Sequence, residues 1–252
     1  MLRFRASQEK GESKREKIDW ESYSASKILL NPSGWLNADI INSTLQNWQA
    51  TFQNLCRWFS VSSEAWATFQ KRVEQKEETL VKKMLRPLTE SGLKPYQMDK
   101  ILIPVNTASE DHWFLAVADF AKRRVLIRDS IIKEQNYYEN TENVLEGVEA
   151  LVETIDKLDR SEPEGAKWWA QNGRASGPRW SLEVVPNVPQ QQDSSSCGLW
   201  TLLNAASEFL LEEEYTLGSH LGEPAQLRAH LLDLFRRNAA KKIREGYRIH
   251  RS

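Results

Sequence analysis

The sequence has few cysteines, almost no net charge and no long apolar run. Its 252 residues contain two cysteines, Cys56 and Cys197, which excludes a disulfide scaffold and a cysteine-rich zinc module. The 34 basic and 35 acidic side chains nearly cancel, so we expect no nucleic-acid partner. No segment approaches the roughly 20 apolar residues of a membrane span, and the N-terminus lacks the apolar run of a signal peptide. We therefore expect an intracellular protein with reduced thiols and no membrane partner.

What the sequence has in excess is tryptophan, with ten residues, and its hydrophobic fraction of 40% is enough for a real core. Residues 1–17 are charged and predict a disordered arm, residues 18–240 predict one domain, and residues 241–252 form a basic tail. Three glycines and two prolines among charges predict a loop insertion over 159–179. The basic tail is most often simply a solvated helix end. The alternatives are a nuclear-import signal and a patch for an acidic partner.

The pattern of apolar residues predicts both strands and helices. Short apolar runs bounded by turn residues predict strands at 101–105, 112–120, 124–129 and 180–186. A turn at 31–34 precedes Asn37, which is a good N-cap for a helix. Apolar residues at helical spacing predict further helices at 64–86, closed by Pro87, and at 142–158, 196–211 and 224–237.

Cys197 lies at the predicted start of a strongly apolar helix, directly after a run of small polar residues. The unpaired N–H groups and the partial positive charge of a helix N-terminus both stabilise a thiolate. Gly198 beside it leaves space for a substrate backbone to approach. The alternative is that Cys197 is a small hydrophobic residue on the buried face of the helix, and the local sequence favours neither interpretation.

A nucleophilic cysteine needs a base, and histidine is scarce. Of His112, His220, His230 and His250, only His112 opens a predicted strand, where an imidazole projects from the strand end. Asp129 ends the next strand of an apparent hairpin, so its carboxylate is placed to fix the imidazole tautomer and to stabilise its charged form. Asp119 is a rival partner, although it lies at the far end of the His112 strand.

Acyl transfer also needs hydrogen-bond donors for an oxyanion. The backbone N–H of Cys197 is one candidate because it lies at a helix start. Gln190, Gln191 and Gln192 lie just upstream and each offers a side-chain amide. Spacing alone does not choose among the three, and an ordinary polar loop is the alternative interpretation.

The order of these residues carries a family resemblance. The segments PSGWLNADIIN, ILIPVN, HWFLAVADF, VLIRDS and QQQDSSSCGLWTLLNA follow one another, with 17 positions between His112 and Asp129. Together they resemble the SUMO-specific proteases, cysteine proteases of ubiquitin-like modifiers that are related to adenovirus protease (papain-like clan CE). The resemblance runs from about Trp35 to Phe209. It implies an α+β fold in which a central mixed β-sheet packs against helices and the catalytic cysteine begins a buried helix, in agreement with the predicted elements.

The resemblance also implies roles for individual residues. Cys197 would be the nucleophile, His112 the general base and Asp129 the orienting carboxylate. The oxyanion glutamine of the family lies six positions before the cysteine, which corresponds to Gln191. Trp35 and Trp113 match two tryptophans that flank a narrow tunnel for the Gly-Gly tail of a modifier, and the alternative is that both belong to the core.

The implied activity is that of a thiol protease or isopeptidase that cleaves after the C-terminal Gly-Gly of SUMO or another ubiquitin-like modifier. It needs no metal and no organic cofactor. The expected partner is SUMO, with ubiquitin second, and the expected state is a monomer in the nucleus or cytoplasm, or an effector delivered into a host cell. Alternatives are a deubiquitinase, an acetyltransferase using the same triad, and an inactive relative that only binds the modifier.

Three features depart from the family pattern. Ser196 stands where the family usually has Asp before Cys-Gly, and Ala38 replaces an acidic residue that commonly follows WLN. The 68 positions from Asp129 to Cys197 are more than usual. These departures bear on which modifier is recognised rather than on catalysis. The second cysteine, Cys56, lies in the apolar stretch NLCRWF and is expected in the core.

Overall fold

The computed structural model describes residues 28–29, 31, 33–52, 57–75, 77–107, 112–131, 137–171, 179–209, 226 and 228–229. The chain forms two compact units, one of residues 1–34 with 228–252 and one of residues 35–227. The predicted arm, the basic tail, Cys56 and nearly all of the predicted helix at 224–237 lie outside the described residues. The proposed domain boundaries stay a prediction.

The larger unit contains the helices and strands that concern the site. Its helices are α1 Ala38–Phe52, α2 Ser63–Gln70, α3 Glu78–Glu90, α4 Tyr137–Asp159, α5 Pro163–Gln171 and α6 Cys197–Phe209. Its strands are β1 Trp58–Ser60, β2 Lys100–Thr107, β3 His112–Asp119, β4 Arg124–Arg128 and β5 Ser181–Val184. Short 3₁₀ helices lie at Val73–Gln75 and Pro95–Gln97.

The strands form one mixed sheet in the order β1-β2-β3-β4-β5. The central strand β3 runs antiparallel to both of its neighbours, β2 and β4, and the two outer strands, β1 and β5, each run parallel to their neighbour. In the central pairs Thr107 lies opposite His112, and Leu115 lies opposite Arg128. The predicted α+β class with a central mixed sheet is confirmed.

Alternate residues of the central strands pack on opposite faces of the sheet, as the two-residue period of a strand requires. On one face Ile103, Phe114, Ala116 and Ile127 join the core formed with α2, α3 and α4. On the other face α6 packs against β3, and Leu115 between them is fully buried. The sheet therefore has a helical layer on each side, which explains the nearly continuous apolar sequence of its central strands.

A buried ion-pair network ties the second half of α6 to the sheet. Glu208, whose side chain is 3% exposed, lies 2.7 Å from Lys100 Nζ at the start of β2 and 2.5 Å from Arg128 Nη2 at the end of β4. Because a buried carboxylate without a cation is costly, these two contacts fix where α6 lies along the strands.

Two of the predicted elements differ in the structure. The prediction of a single helix over 64–86 is wrong, because α2 ends at Gln70 and α3 begins at Glu78. The core residues of both helices keep the same spacing, so the pattern does not reveal the break. Pro87 does not close α3, which continues for three residues and buries Leu88. That burial offsets the hydrogen bond that proline cannot donate.

The loop predicted over 159–179 is wrong for residues 163–171, which form α5. Pro163 opens this helix, where a residue without an N–H costs nothing because the first N–H groups of a helix have no internal partner. Glu164 suits the positive end of the helix dipole, and it also accepts a hydrogen bond of 3.1 Å from the hydroxyl of Tyr96.

In the smaller unit, the predicted turn at 31–34 is present. The amide of Gly34 donates to the carbonyl oxygen of Asn31 at 3.0 Å, and the amide of Ser33 donates to the Asn31 side chain. The buried guanidinium of Arg228 donates to the carbonyl oxygens of Ile28 and Gly34. Across the part of the chain that the structure describes, no helix combines the length and the apolar character needed to cross a membrane.

Candidate active site

His112 and Asp129 come together at the end of the β3–β4 hairpin away from its turn. His112 is the first residue of β3, and Asp129 directly follows Arg128, the last residue of β4 and the partner of Leu115, so both lie at the same end of the hairpin. His112 Nε2 lies 2.7 Å from Asp129 Oδ1, and the two side chains are only 12% and 4% exposed. A buried carboxylate accepts hydrogen bonds, so Nε2 carries the proton and Nδ1 is the ring atom left for another partner.

Cys197 is the first residue of α6 and is 2% exposed. Its side chain is close enough to His112 to raise the pKa of the imidazole, so the structure brings a thiol, an imidazole and a carboxylate together. The first N–H groups of a helix point toward this position and favour a negative charge on sulfur. The arrangement provides what nucleophilic catalysis by a thiolate needs, namely a base on the nucleophile and an orienting group on the base.

The pKa of His112 reflects competing effects. Burial by itself lowers the pKa, because it penalises the charged imidazolium. The hydrogen bonds and charges of Asp129 and Cys197 act in the opposite direction and raise the pKa of His112 from 6.5 to about 9. The site therefore favours a protonated imidazole at neutral pH.

The loop before Cys197 distinguishes the three consecutive glutamines. Gln190 Nε2 donates to the carbonyl oxygens of Asp129 and Val188, at 3.2 and 3.0 Å. Gln192 is exposed, and its amide lies 3.4 Å from the carbonyl oxygen of Gln190. Gln191 is half-buried and extends its side chain toward the end of β4.

Asp193 organises the turn that leads into α6. Its Oδ1 accepts hydrogen bonds from the amides of Ser195 and Ser196, at 2.6 and 2.7 Å, and from the hydroxyl of Ser195. Burial alone raises the pKa of Asp193, but these hydrogen bonds outweigh it and lower that pKa. Asp193 was not predicted from the sequence, although an aspartate followed by serines is typical of a side chain that caps its own turn.

Asp119 and Gly198 do not have the roles that the sequence suggested. The rival acid Asp119 lies at the opposite end of β3, where it accepts a hydrogen bond from the amide of Lys122 and faces Arg124. Gly198 does not leave open space for a substrate, because a Cβ there would lie 2.9 Å from the Cβ of Leu36 and 3.3 Å from Ile41. Its role is close packing of α6.

His220, His230 and His250 lie outside the described residues.

The two tryptophans predicted to flank a tunnel differ in exposure. Trp113 follows His112 in β3 and is 5% exposed. Trp35 is 45% exposed, and among the described residues it is the large hydrophobic side chain that is exposed. No group of three or more His, Cys, Asp or Glu side chains suited to a metal ion occurs among the described residues.

The sequence matches the family described as the Ulp1 protease family, C-terminal catalytic domain, over residues 34–248. The chain belongs to the Ulp1 protease family. It is therefore a cysteine-type peptidase domain, as the sequence resemblance predicted. No curated protein matches the sequence.

Solved Ulp1 structures share the fold. The C-terminal Ulp1 protease domain in complex with Smt3, the yeast orthologue of SUMO, is 16% identical with a TM-score of 0.57, covering 83% of this chain and 80% of that domain. The SUMO protease Ulp1 with its catalytic cysteine oxidised to a sulfonic acid is 18% identical with a TM-score of 0.55, covering 85% and 84%. The Ulp1-like SUMO protease catalytic domain of Chaetomium thermophilum is 21% identical with a TM-score of 0.50, covering 81% and 74%.

Ser196 and Ala38 are the positions at which this Ulp1-family chain departs from the expected motifs. Ser196 is 2% exposed, and its amide donates to Oδ1 of Asp193 at 2.7 Å. Ala38 opens α1, directly after Asn37, whose side chain caps the helix by accepting from the amide of Ile40 at 3.1 Å. Neither substitution interrupts the contacts among Cys197, His112 and Asp129.

Proposed function

We propose that the chain cleaves after the C-terminal Gly-Gly of SUMO, as a protease or isopeptidase in which Cys197 is the nucleophile. The observation that carries this proposal is the 2.7 Å contact of His112 with Asp129, together with the nearby thiol of Cys197 at a helix N-terminus, which raises the pKa of the same imidazole. His112 is the base and acid of the reaction, and Asp129 orients it. The choice of SUMO is supported by the structures of SUMO proteases that share the fold.

The reaction uses the ion pair of Cys197 and His112. The thiolate attacks the carbonyl carbon of the terminal glycine, forming a C–S bond while the π electrons move to oxygen. The tetrahedral intermediate then breaks its C–N bond, and His112 gives its proton to the leaving amine. Water attacks the thioester as His112 accepts one of its protons, and departure of the sulfur releases the modifier's free C-terminus and restores the ion pair.

The oxyanion would be held by the backbone N–H of Cys197 and by the amide of Gln191. Gln190 fits this role poorly, because both of its amide N–H groups already have carbonyl acceptors. Gln192 is exposed and turned toward its own loop. Gln191 uses one N–H on the carbonyl oxygen of Asp193 and keeps the other, which supports its assignment.

Trp35 and Trp113 would restrict what reaches Cys197. Trp113 is buried beside His112 and forms a fixed wall, while the exposed ring of Trp35 is available to cover an extended peptide. Glycine is the residue that passes between flat rings, because any side chain adds volume at the narrowest point. The pair would thereby select a Gly-Gly end by steric exclusion.

Replacing the thiol tests the proposed nucleophile. Cys197→Ala is expected to abolish hydrolysis of a fluorogenic SUMO C-terminal substrate, because no other group replaces the thiolate, while SUMO binding is retained. The matched control is Cys56→Ala, which removes the other cysteine of the sequence and is expected to keep turnover. Steady-state hydrolysis and titration calorimetry with SUMO measure the two properties. Wild-type activity in Cys197→Ala would overturn the proposal, and turnover of ubiquitin with none of SUMO would reassign the substrate.

A further inference from the structure

Ser130 contacts Gln191 through both its main chain and its side chain. The amide of Gln191 donates to the carbonyl oxygen of Ser130 at 3.0 Å, and the Ser130 hydroxyl lies 2.7 Å from Gln191 Oε1. Ser130 is 2% exposed and directly follows Asp129 at the end of β4. These contacts join residues that are 61 positions apart in the chain.

The second contact of the Gln191 side chain decides which way its amide faces. Gln191 Nε2 lies 2.6 Å from the carbonyl oxygen of Asp193, and a carbonyl oxygen only accepts hydrogen bonds. Nε2 must therefore face Asp193, so Oε1 faces Ser130 and the serine hydroxyl must be the donor. With these two contacts made, the position of the second Nε2 N–H is determined by the plane of the amide.

We propose that Ser130 is a positioning residue, which holds the Gln191 amide so that its second N–H is directed at the oxyanion. This inference rests on the proposed function of Gln191. Without the hydroxyl, Oε1 loses its buried donor and the amide is free to rotate about its last side-chain bond. Asp129 and Ser130 are consecutive at the end of β4. Asp129 thus orients His112, and Ser130 orients the oxyanion donor Gln191.

The test compares Ser130→Ala, Gln191→Ala and the double variant with wild type, using the fluorogenic SUMO substrate and counting active enzyme by thiol titration. Ser130→Ala is expected to lower kcat about five- to tenfold with little change in KM, as the loss of one hydrogen bond acting in the transition state does. Gln191→Ala is expected to lower kcat more, by a factor on the order of 100. In the Gln191→Ala background, removing the Ser130 hydroxyl is expected to have no further effect on kcat. Ser130→Thr, which keeps the hydroxyl, is expected to restore kcat at least in part.

A matched control separates positioning from general stability. Thr154→Ala also removes a buried hydroxyl, one that donates to the carbonyl oxygen of Ala150 within α4, a helix that carries none of the site residues. It is expected to leave kcat per titrated thiol unchanged. Equal effects of Ser130→Ala on kcat in the wild-type and Gln191→Ala backgrounds, or an unchanged kcat per titrated thiol, would overturn the positioning role alone. A wild-type enzyme that hydrolyses neither SUMO nor ubiquitin substrates would instead overturn the proposed function, and the role of Ser130 with it.

Discussion

At the scale of single residues, the properties of the site depend on His112. Its imidazole is mostly buried, yet it lies between a carboxylate and a thiol that both favour its charged form. Burial lowers the pKa, and the interactions with Asp129 and Cys197 raise it to about 9. Because of these contacts, His112 binds its proton more tightly in the folded protein than in the unfolded chain.

This raised pKa makes the stability depend on pH. Because the folded pKa of about 9 exceeds the ordinary value of 6.5, the stabilisation from His112 is fully present below about pH 6.5 and is lost as the pH rises through about 9. We expect the free energy of unfolding of wild type to fall across this range relative to that of His112→Gln. Urea denaturation of both proteins at pH 6, 7.5 and 9.5 measures the difference. Stability profiles that stay parallel over the whole range would contradict this prediction.

The sequence alone indicated Cys197, His112 and Asp129, because strand ends and helix starts have local signatures. The structure brings the three side chains together, and their catalytic roles stay a proposal. Asp193 was missed although its contacts with Ser195 and Ser196 are local. Ser130 was not predicted, because it contacts Gln191, whose position depends on the folded loop. No residue pattern reports such contacts across 61 positions of chain.

At the scale of elements, the start of α6 packs unusually tightly. A Cβ on Gly198 would lie 2.9 Å from the Cβ of Leu36, an atom close to the backbone that has little room to move. Glycine at this position therefore lets the helix approach Leu36 and Ile41, and it fixes where Cys197 begins. The contact that packs the start of α6 therefore also places the proposed nucleophile.

Gly198→Ala tests this contact. We expect it to destabilise the protein by about 1–3 kcal/mol through overpacking, and to lower kcat per folded molecule because Cys197 shifts with the helix. The matched control is Gly147→Ala in α4, where a Cβ would meet the Trp66 ring at 2.8 Å. This control is expected to lower stability similarly but to keep kcat per folded molecule. Thermal unfolding and active-site titration measure both effects, and equal losses of kcat in the two variants would refute the placement argument.

Element prediction succeeded where burial gives a clear period and failed where it does not. The central strands are apolar on both faces and were located from the sequence alone. The strand β1 was missed, because Trp58–Ser60 has three residues and no alternation to detect. The break between α2 and α3 was missed because core residues on both sides keep helical spacing across a charged stretch.

At the scale of the whole molecule, the sheet brings together parts of the chain that are far apart in sequence. The residues of the proposed site come from β3, from the segment after β4, from the loop before α6 and from α6 itself. The match to the Ulp1 protease family covers residues 34–248, although the solved relatives are only 16–21% identical. The fold is thus maintained by the apolar pattern of the sheet and its helices rather than by residue identity.

The most direct test of the central claim is covalent capture of Cys197 by a modifier. SUMO carrying an electrophile in place of its C-terminal carboxylate is incubated with the protein, and the adduct is located by intact mass spectrometry and peptide mapping. Unmodified SUMO, ubiquitin with the same electrophile and Cys197→Ala serve as controls. We predict one SUMO adduct per molecule, on Cys197, that is absent in Cys197→Ala. An adduct on a different residue, or no adduct with an electrophilic SUMO that known SUMO proteases accept, would contradict the account.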